Sequence, residues 1–157
     1  MPKIRSETDD DCRLLWQWAN DADVRNSSFG STPIPWEEHV AWFRRKRGDP
    51  NCHMYVLSDR NGHPFGQVRF DIRDDGSAEV HISIERDQRG RGLGAEALRL
   101  ACTRFFTAAD VQQIVAHIKP ENVPSIRAFE KAGFAHQGMK RVKGHKAVHM
   151  SMWREQS

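Results

Sequence analysis

Glu79 and His81 stand two residues apart in the run Ala78-Glu-Val-His-Ile-Ser-Ile84. Arg69 and Asp71 have the same spacing in Gln67-Val-Arg-Phe-Asp-Ile72. In extended chain alternate residues share a face, so each run would turn its polar side chains one way and its apolar ones the other. A carboxylate and an imidazole on such a face can take a proton from an amine, directly or through water, and an ordinary histidine pKa of about 6.5 suits that work at neutral pH. The second chemical motif is Asp87-Gln-Arg-Gly-Arg-Gly-Leu-Gly-Ala-Glu-Ala-Leu98. Its glycines allow close backbone approach, and a strand–loop–helix setting aims unpaired N–H groups at an anion, with Arg89 and Arg91 adding charge at the rim.

These residues need elements to hold them. The run 52–59 reads as a strand, Asn61-Gly62 as a hairpin turn, and 64–72 and 77–85 as two alternating strands. Together they predict a three-stranded antiparallel meander. Before it come a short strand at 3–6, a helix from Thr8 to about Asn20, and a second helix opened by Pro35 and closed near Gly48. After the glycine loop follow a helix over 94–108, a strand over 112–119, and a helix over 124–132 ending at Gly133. Strands at 134–142 and 146–154 close the chain around Lys143-Gly-His145. The pattern predicts one mixed α/β domain over residues 1–157, with about seven mostly antiparallel strands flanked by helices.

The setting of the glycine loop excludes three alternatives. No Gly-x-x-x-x-Gly-Lys-Ser/Thr run is present, so this is not a Walker loop. A dinucleotide fingerprint follows the first strand of a parallel unit, whereas here antiparallel strands come first. An arginine-glycine arm for nucleic acid lies in disordered repeats, and this loop leads into an amphipathic helix. A glycine-rich turn with solvated arginines is the plain structural alternative. Composition agrees with a small-molecule partner: 24 basic against 21 acidic residues give +3, which suits a phosphorylated ligand and lacks the concentrated basic stripe of a nucleic-acid binder. The 3 cysteines are scattered with no metal-ligand spacing, so a reducing compartment and no metal are expected. No signal core or membrane-length apolar run occurs, which predicts a soluble, cytoplasmic protein.

Arg89-Gly-Arg-Gly-Leu-Gly94 resembles the Arg/Gln-x-x-Gly-x-Gly/Ala pattern of the GNAT superfamily of acetyl-CoA-dependent N-acetyltransferases. The segment Glu121-Asn-Val-Pro-Ser-Ile-Arg-Ala-Phe-Glu-Lys-Ala-Gly-Phe134 is similar to that family's second landmark, and the strand order agrees. The resemblance covers the whole chain and implies a GNAT fold whose fourth and fifth strands splay apart. It implies that Arg89, Gly90, Arg91, Gly92, Leu93, Gly94 and Ala95 hold the coenzyme A diphosphate. Backbone at Ile82, Ser83 and Ile84 would bond the pantetheine, and Asn122 would orient the cofactor. Many members carry a tyrosine acid where this chain has Phe129, so Phe129 would line the cofactor without donating a proton. Ser125 is then the candidate near the sulfur, able to hydrogen-bond or relay a proton, with helix capping or packing as its structural alternative. Glu79, His81 and Ser125 are the candidate catalytic residues.

The acceptor is read from residues 15–43 and Gly66–Asp71, which look like the acetyltransferases of pseudaminic-type (nonulosonic) sugar biosynthesis. That likeness implies a UDP-linked amino sugar acetylated on its 4-amino group. Arg25, Asn26, Ser28 and Phe29 would lie by the acceptor, with His39 and Arg69 approaching the sugar nucleotide. Two other readings stay open: a ribosomal-protein-type N-terminal acetyltransferase, which the Ser125 variant also suits, and a non-catalytic acetyl-CoA-binding module. The expected partner is a small-molecule amine rather than nucleic acid or membrane, with the chain a monomer or a homodimer.

Overall fold

The fold follows from how the alternating strands dispose their apolar residues. A computed structural model describes residues 2–21, 24, 25, 29, 32–85 and 93–155. In chain order the elements are β1 (Lys3–Ser6), a single tight turn at Asp9–Asp11, α1 (Cys12–Ala19), α2 (Trp36–Arg47), β2 (Cys52–Ser58), β3 (Pro64–Ile72) and β4 (Ala78–Ile84). Then come α3 (Leu93–Ala108), β5 (Gln113–Ile118), α4 (Val123–Ala132), β6 (Ala135–Val142) and β7 (His145–Trp153). The seven strands form one sheet in the order β1-β2-β3-β4-β5-β7-β6, in which only β4 and β5 run parallel. The expected α/β architecture is therefore present, with boundaries shifted by one or two residues.

The first helix departs from expectation in a definable way. The Asp11 carboxylate turns back to accept the Thr8 N–H at 2.7 Å and two bonds from Arg5 at 2.8 and 2.9 Å. The chain accordingly leaves β1 through a tight turn, and regular α-helix begins only at Cys12. At the far end of the molecule Gly133 adopts φ 107°, a left-handed conformation that ends α4 as the sequence predicts.

One sheet face carries Tyr55, Val68, Phe70, Val80, Ile114, Ala116 and Met150 into a core closed by Leu98, Ala101, Cys102 and Phe105 of α3 and Phe129 of α4. Phe70 and Phe105 stack at 4.3 Å with planes 4° apart. On the opposite face, β2 packs Met54 and Val56 against Leu15, Trp18 and Phe43 of α1 and α2. These helices cover the β1–β2 side of that face, and α2 also reaches β3 through Lys46 on Asp71 and Trp42 under Arg69. Beyond them it carries polar side chains, and the site lies there.

Candidate active site

The β4–β5 ladder is short, with residue pairs Ala78–Ile114 and Glu79–Val115. Past Glu79 the backbone of β4 stays on β3, with pairs running to Gly66–Ile84. β5 stays on β7 through Ile118–Val148. The two parallel strands thus part as the sequence resemblance implies, with half-buried Ile82, Ser83 and Ile84 along the β4 side of the gap. Gly66 sets how closely β3 follows there. A Cβ on it would stand 2.6 Å from the Ser83 carbonyl oxygen, so glycine is required for the approach.

Register places the polar side chains in rows across one face. Asp71 is opposite Glu79, and Arg69 is opposite His81; Val115 is opposite Ser151, and His117 is opposite His149. Glu79 accepts from Arg73 at 2.7 Å and bonds His117 Nδ1 at 2.7 Å. Burial alone would raise the Glu79 pKa. Its bonds to His117 and Arg73, with His81 close by, outweigh that and hold the carboxyl well below the ordinary range. Such a carboxylate is a firm anchor and a weak proton acceptor. Asp71 is likewise lowered, its burial outweighed by Arg69 and by the Lys46 bond at 3.0 Å.

His81 Nε2 lies 3.6 Å from Glu79 and 3.7 Å from Asp71. Its side chain is 44% exposed, and the partial burial that remains lowers its pKa, with Arg69 adding to the effect, so that together they outweigh the two carboxylates. His81 is therefore both accessible and neutral near pH 7, as a base must be.

The other expected residues divide by position. Arg69 belongs to this face, bonded to Asp71 at 2.9 Å and lying over the Trp42 ring at 5.0 Å. Phe29 lies 6.2 Å from the His145 ring, with the Lys119 ammonium 5.9 Å from its own ring, which brings it beside the ends of β5 and β7. The half-buried Arg25 has its pKa lowered by burial. His39 is elsewhere: only 3% exposed, it sits among Trp36, Trp42 and Phe43 with Nε2 on the Cys12 carbonyl at 2.8 Å. Its burial favours the neutral ring, and it ties α1 to α2 instead of facing the polar surface. Phe129 is 3% exposed and packs edge-to-face on Phe134 inside the core. Asn122 caps α4 by accepting from the Ser125 N–H at 3.3 Å, which gives both residues a structural task at that helix start. Leu93, Gly94 and the buried Ala95 open α3, and among the described residues outside its own turn of helix nothing lies within 4 Å of where a Gly94 Cβ would stand. Asn26, Ser28, Arg89, Gly90, Arg91 and Gly92 fall outside the described residues.

Sequence reasoning missed His117, Arg73, Lys46 and Lys140. His117 sits in the apolar-looking run Gln113-Ile-Val-Ala-His-Ile118, and only the parallel register joins it to Glu79. Lys140 is paired with Ala147 two positions along β7 from His149, on the same face. Its charge helps lower the His149 pKa, after the larger effect of burial. The available signal for Lys140 was the absence of any Asp or Glu between Glu130 and Glu155.

Comparison with known proteins agrees with this geometry. Residues 3–135 match the family model described as an acetyltransferase (GNAT) domain. The chain is 35% identical to the aminoglycoside N(6')-acetyltransferase type 1 of Klebsiella pneumoniae, covering 97% of this chain and 83% of that protein. It is 32% identical to the putative phosphinothricin acetyltransferase YwnH of Bacillus subtilis (strain 168), covering 68% of this chain and 67% of that one. The fold superposes with a TM-score of 0.85 on the aminoglycoside acetyltransferase AAC(6')-Ib in complex with coenzyme A, at 22% identity over 98% of this chain and 95% of that one. It gives the same score with the spermidine N-acetyltransferase of Vibrio cholerae in complex with CoA and spermine, at 19% identity over 97% and 95%. The gap between the parted strands β4 and β5 fits coenzyme A. The chain belongs to the GNAT acetyltransferase family and is an acyltransferase that uses acetyl-CoA.

Proposed function

We propose that this enzyme acetylates a primary amine on a small, negatively charged acceptor, with the 4-amino group of a UDP-linked amino sugar as the leading case. The observation that carries this reading is the charge of the polar face. Lys46, Arg69, Arg73 and Lys140 gather there against Asp71 and Glu79, and both carboxylates are already engaged by cations. A diphosphate would be drawn to such a surface, and a polycation would be repelled. In this reading bound acetyl-CoA supplies an activated acyl carbon, the exposed His81 contacts the incoming amine, and Arg69 orients the anionic part of the acceptor. Ser125 is the group offered to the departing sulfur. Arg25, Asn26, Ser28 and Phe29 belong to the segment that meets the acceptor.

A second reading, an aminoglycoside-type amino sugar, is supported by the 35% identity to the Klebsiella pneumoniae enzyme over nearly the whole chain. The two acceptors share a sugar-borne amine and differ in charge, which makes them separable. Thiol release from acetyl-CoA is measured with UDP-4-amino sugars, aminoglycosides and peptide N-termini at two salt concentrations. The expected result is turnover with the UDP-linked amine and a KM that rises with salt. Preference for aminoglycosides, with a KM that falls with salt, would replace the first reading by the second.

A further inference from the structure

The histidine most constrained by this face is His117. Its side chain is 4% exposed, and its Nδ1 bonds Glu79 Oε2 at 2.7 Å. An ionised carboxylate can only accept, so the hydrogen in that bond belongs to Nδ1. In the neutral ring Nε2 then carries a bare lone pair. This atom is buried and has no hydrogen-bond partner among the described residues. A buried polar atom left without a partner is costly, which makes one that persists where two strands part a candidate to meet a ligand.

Position strengthens the case. The β4–β5 ladder ends at Glu79–Val115, and His117 is the next residue on the same face of β5. Its bond to Glu79 therefore crosses between the strands at the point where their backbones separate. The groups facing it are Glu79 and His81 from β4, Arg73 from the end of β3, Lys140 from β6 and His149 from β7, with Lys119 farther along its own strand. The His149 ring packs edge-on at 4.9 Å.

We propose that Glu79 and His117 form a dyad in which His117 Nε2 accepts the proton of the acceptor amine, with Glu79 as the positioning residue that fixes the tautomer and stabilises the imidazolium. The proposal rests on the acetyl-transfer reading and goes beyond it in naming the proton acceptor. In the step, an ammonium N–H bond breaks as Nε2–H forms, and the proton later passes to solvent. The freed amine nitrogen bonds to the acetyl carbon as the carbon–sulfur bond breaks, and a second amine proton leaves on the thiol. The products are the amide, coenzyme A and one proton. His81, more exposed and farther from either carboxylate, is left to contact the acceptor.

The test has two arms. Nitrogen–proton correlation NMR of the histidine rings reads the tautomer directly and needs no acceptor. The proton is expected on Nδ1 of His117, and Glu79→Gln, whose amide can donate to that nitrogen, is expected to move it to Nε2. A proton on Nε2 in the unaltered protein would overturn the dyad. In the kinetic arm, His117→Gln should lower kcat about 10²–10⁴-fold and remove the acidic limb of the pH profile, with coenzyme A affinity of the folded protein close to that of the parent. Glu79→Gln should give a similar loss, and the double variant no further loss. Retention of the limb in His117→Gln with its loss in His81→Gln would assign the proton to His81 instead. Absence of turnover by the unaltered protein on every amine would count against the proposed acceptors, while the tautomer would still decide the dyad.

Discussion

The two faces of the one sheet are built by the same strands and do opposite things. Toward α3 and α4, Val68, Phe70, Val80, Ile114 and Met150 are sealed among aromatic and aliphatic neighbours. Toward the other side, Arg69, Asp71, Glu79, His81 and His117 alternate with them and make a network that includes a buried nitrogen with no partner among the described residues. The apolar face gains from every contact and needs no partner. The polar face keeps charges where packing would not favour them, which is how a fold holds reactive groups in place.

The contrast can be broken from either side. The largest effect is expected from Phe105→Ala on the apolar face, where loss of the stacked ring should cost about 3–5 kcal/mol in a denaturant or thermal melt. Gly66→Ala should come next, costing roughly 1–3 kcal/mol because the new methyl must displace the Ser83 carbonyl. It should also weaken coenzyme A binding, measured by calorimetry, whereas Phe105→Ala should leave affinity of the folded fraction unchanged. Lys140→Glu on the polar face should raise KM for an anionic acceptor about 10-fold, with kcat and melting temperature held. Acid should act most gently. The folded-state pKa of Asp11 is lowered, first by its Arg5 bonds, so its contribution is fully present above the unfolded value of about 3.9 and is lost as pH falls through the folded one. Comparing melting temperatures of the parent and Asp11→Asn between pH 7 and pH 3 should show a gap that narrows with acid. It should amount to no more than about 1 kcal/mol, because solvent screens Arg5.

The parts of this molecule that alternate were legible from sequence. Gln67, Arg69 and Asp71 against Val68 and Phe70 fixed both faces of β3, because a strand with one covered face must alternate. What depends on distant partners was less visible. His39 resembled a binding residue, yet it falls three positions after Trp36 and four before Phe43, on the stripe that α2 turns inward. Ser125 and Asn122 drew attention as functional groups, and the structure shows the capping bond between them. The Glu79–His117 pair required a register between parallel strands 38 positions apart, which no local pattern reveals. The choice among acceptors depends on charges collected from α2, β3, the end of β3 and β6, a sum that no single segment contains.

The short contact between β4 and β5 also bears on how the domain comes apart. The antiparallel ladders run through β1–β4 on one side and β5–β7 on the other, and backbone pairing joins the two halves only at Ala78–Ile114 and Glu79–Val115. The sheet therefore has a seam, spanned by the α3–α4 layer and by the Glu79–His117 bond. A ligand lying along that seam would act as mortar, and its binding energy would add directly to the resistance of the domain to unfolding. Amide exchange at Glu79 and Val115 should slow more than exchange within either half-sheet when coenzyme A binds, if the weakest joint in the sheet is also where the proposed site holds the cofactor.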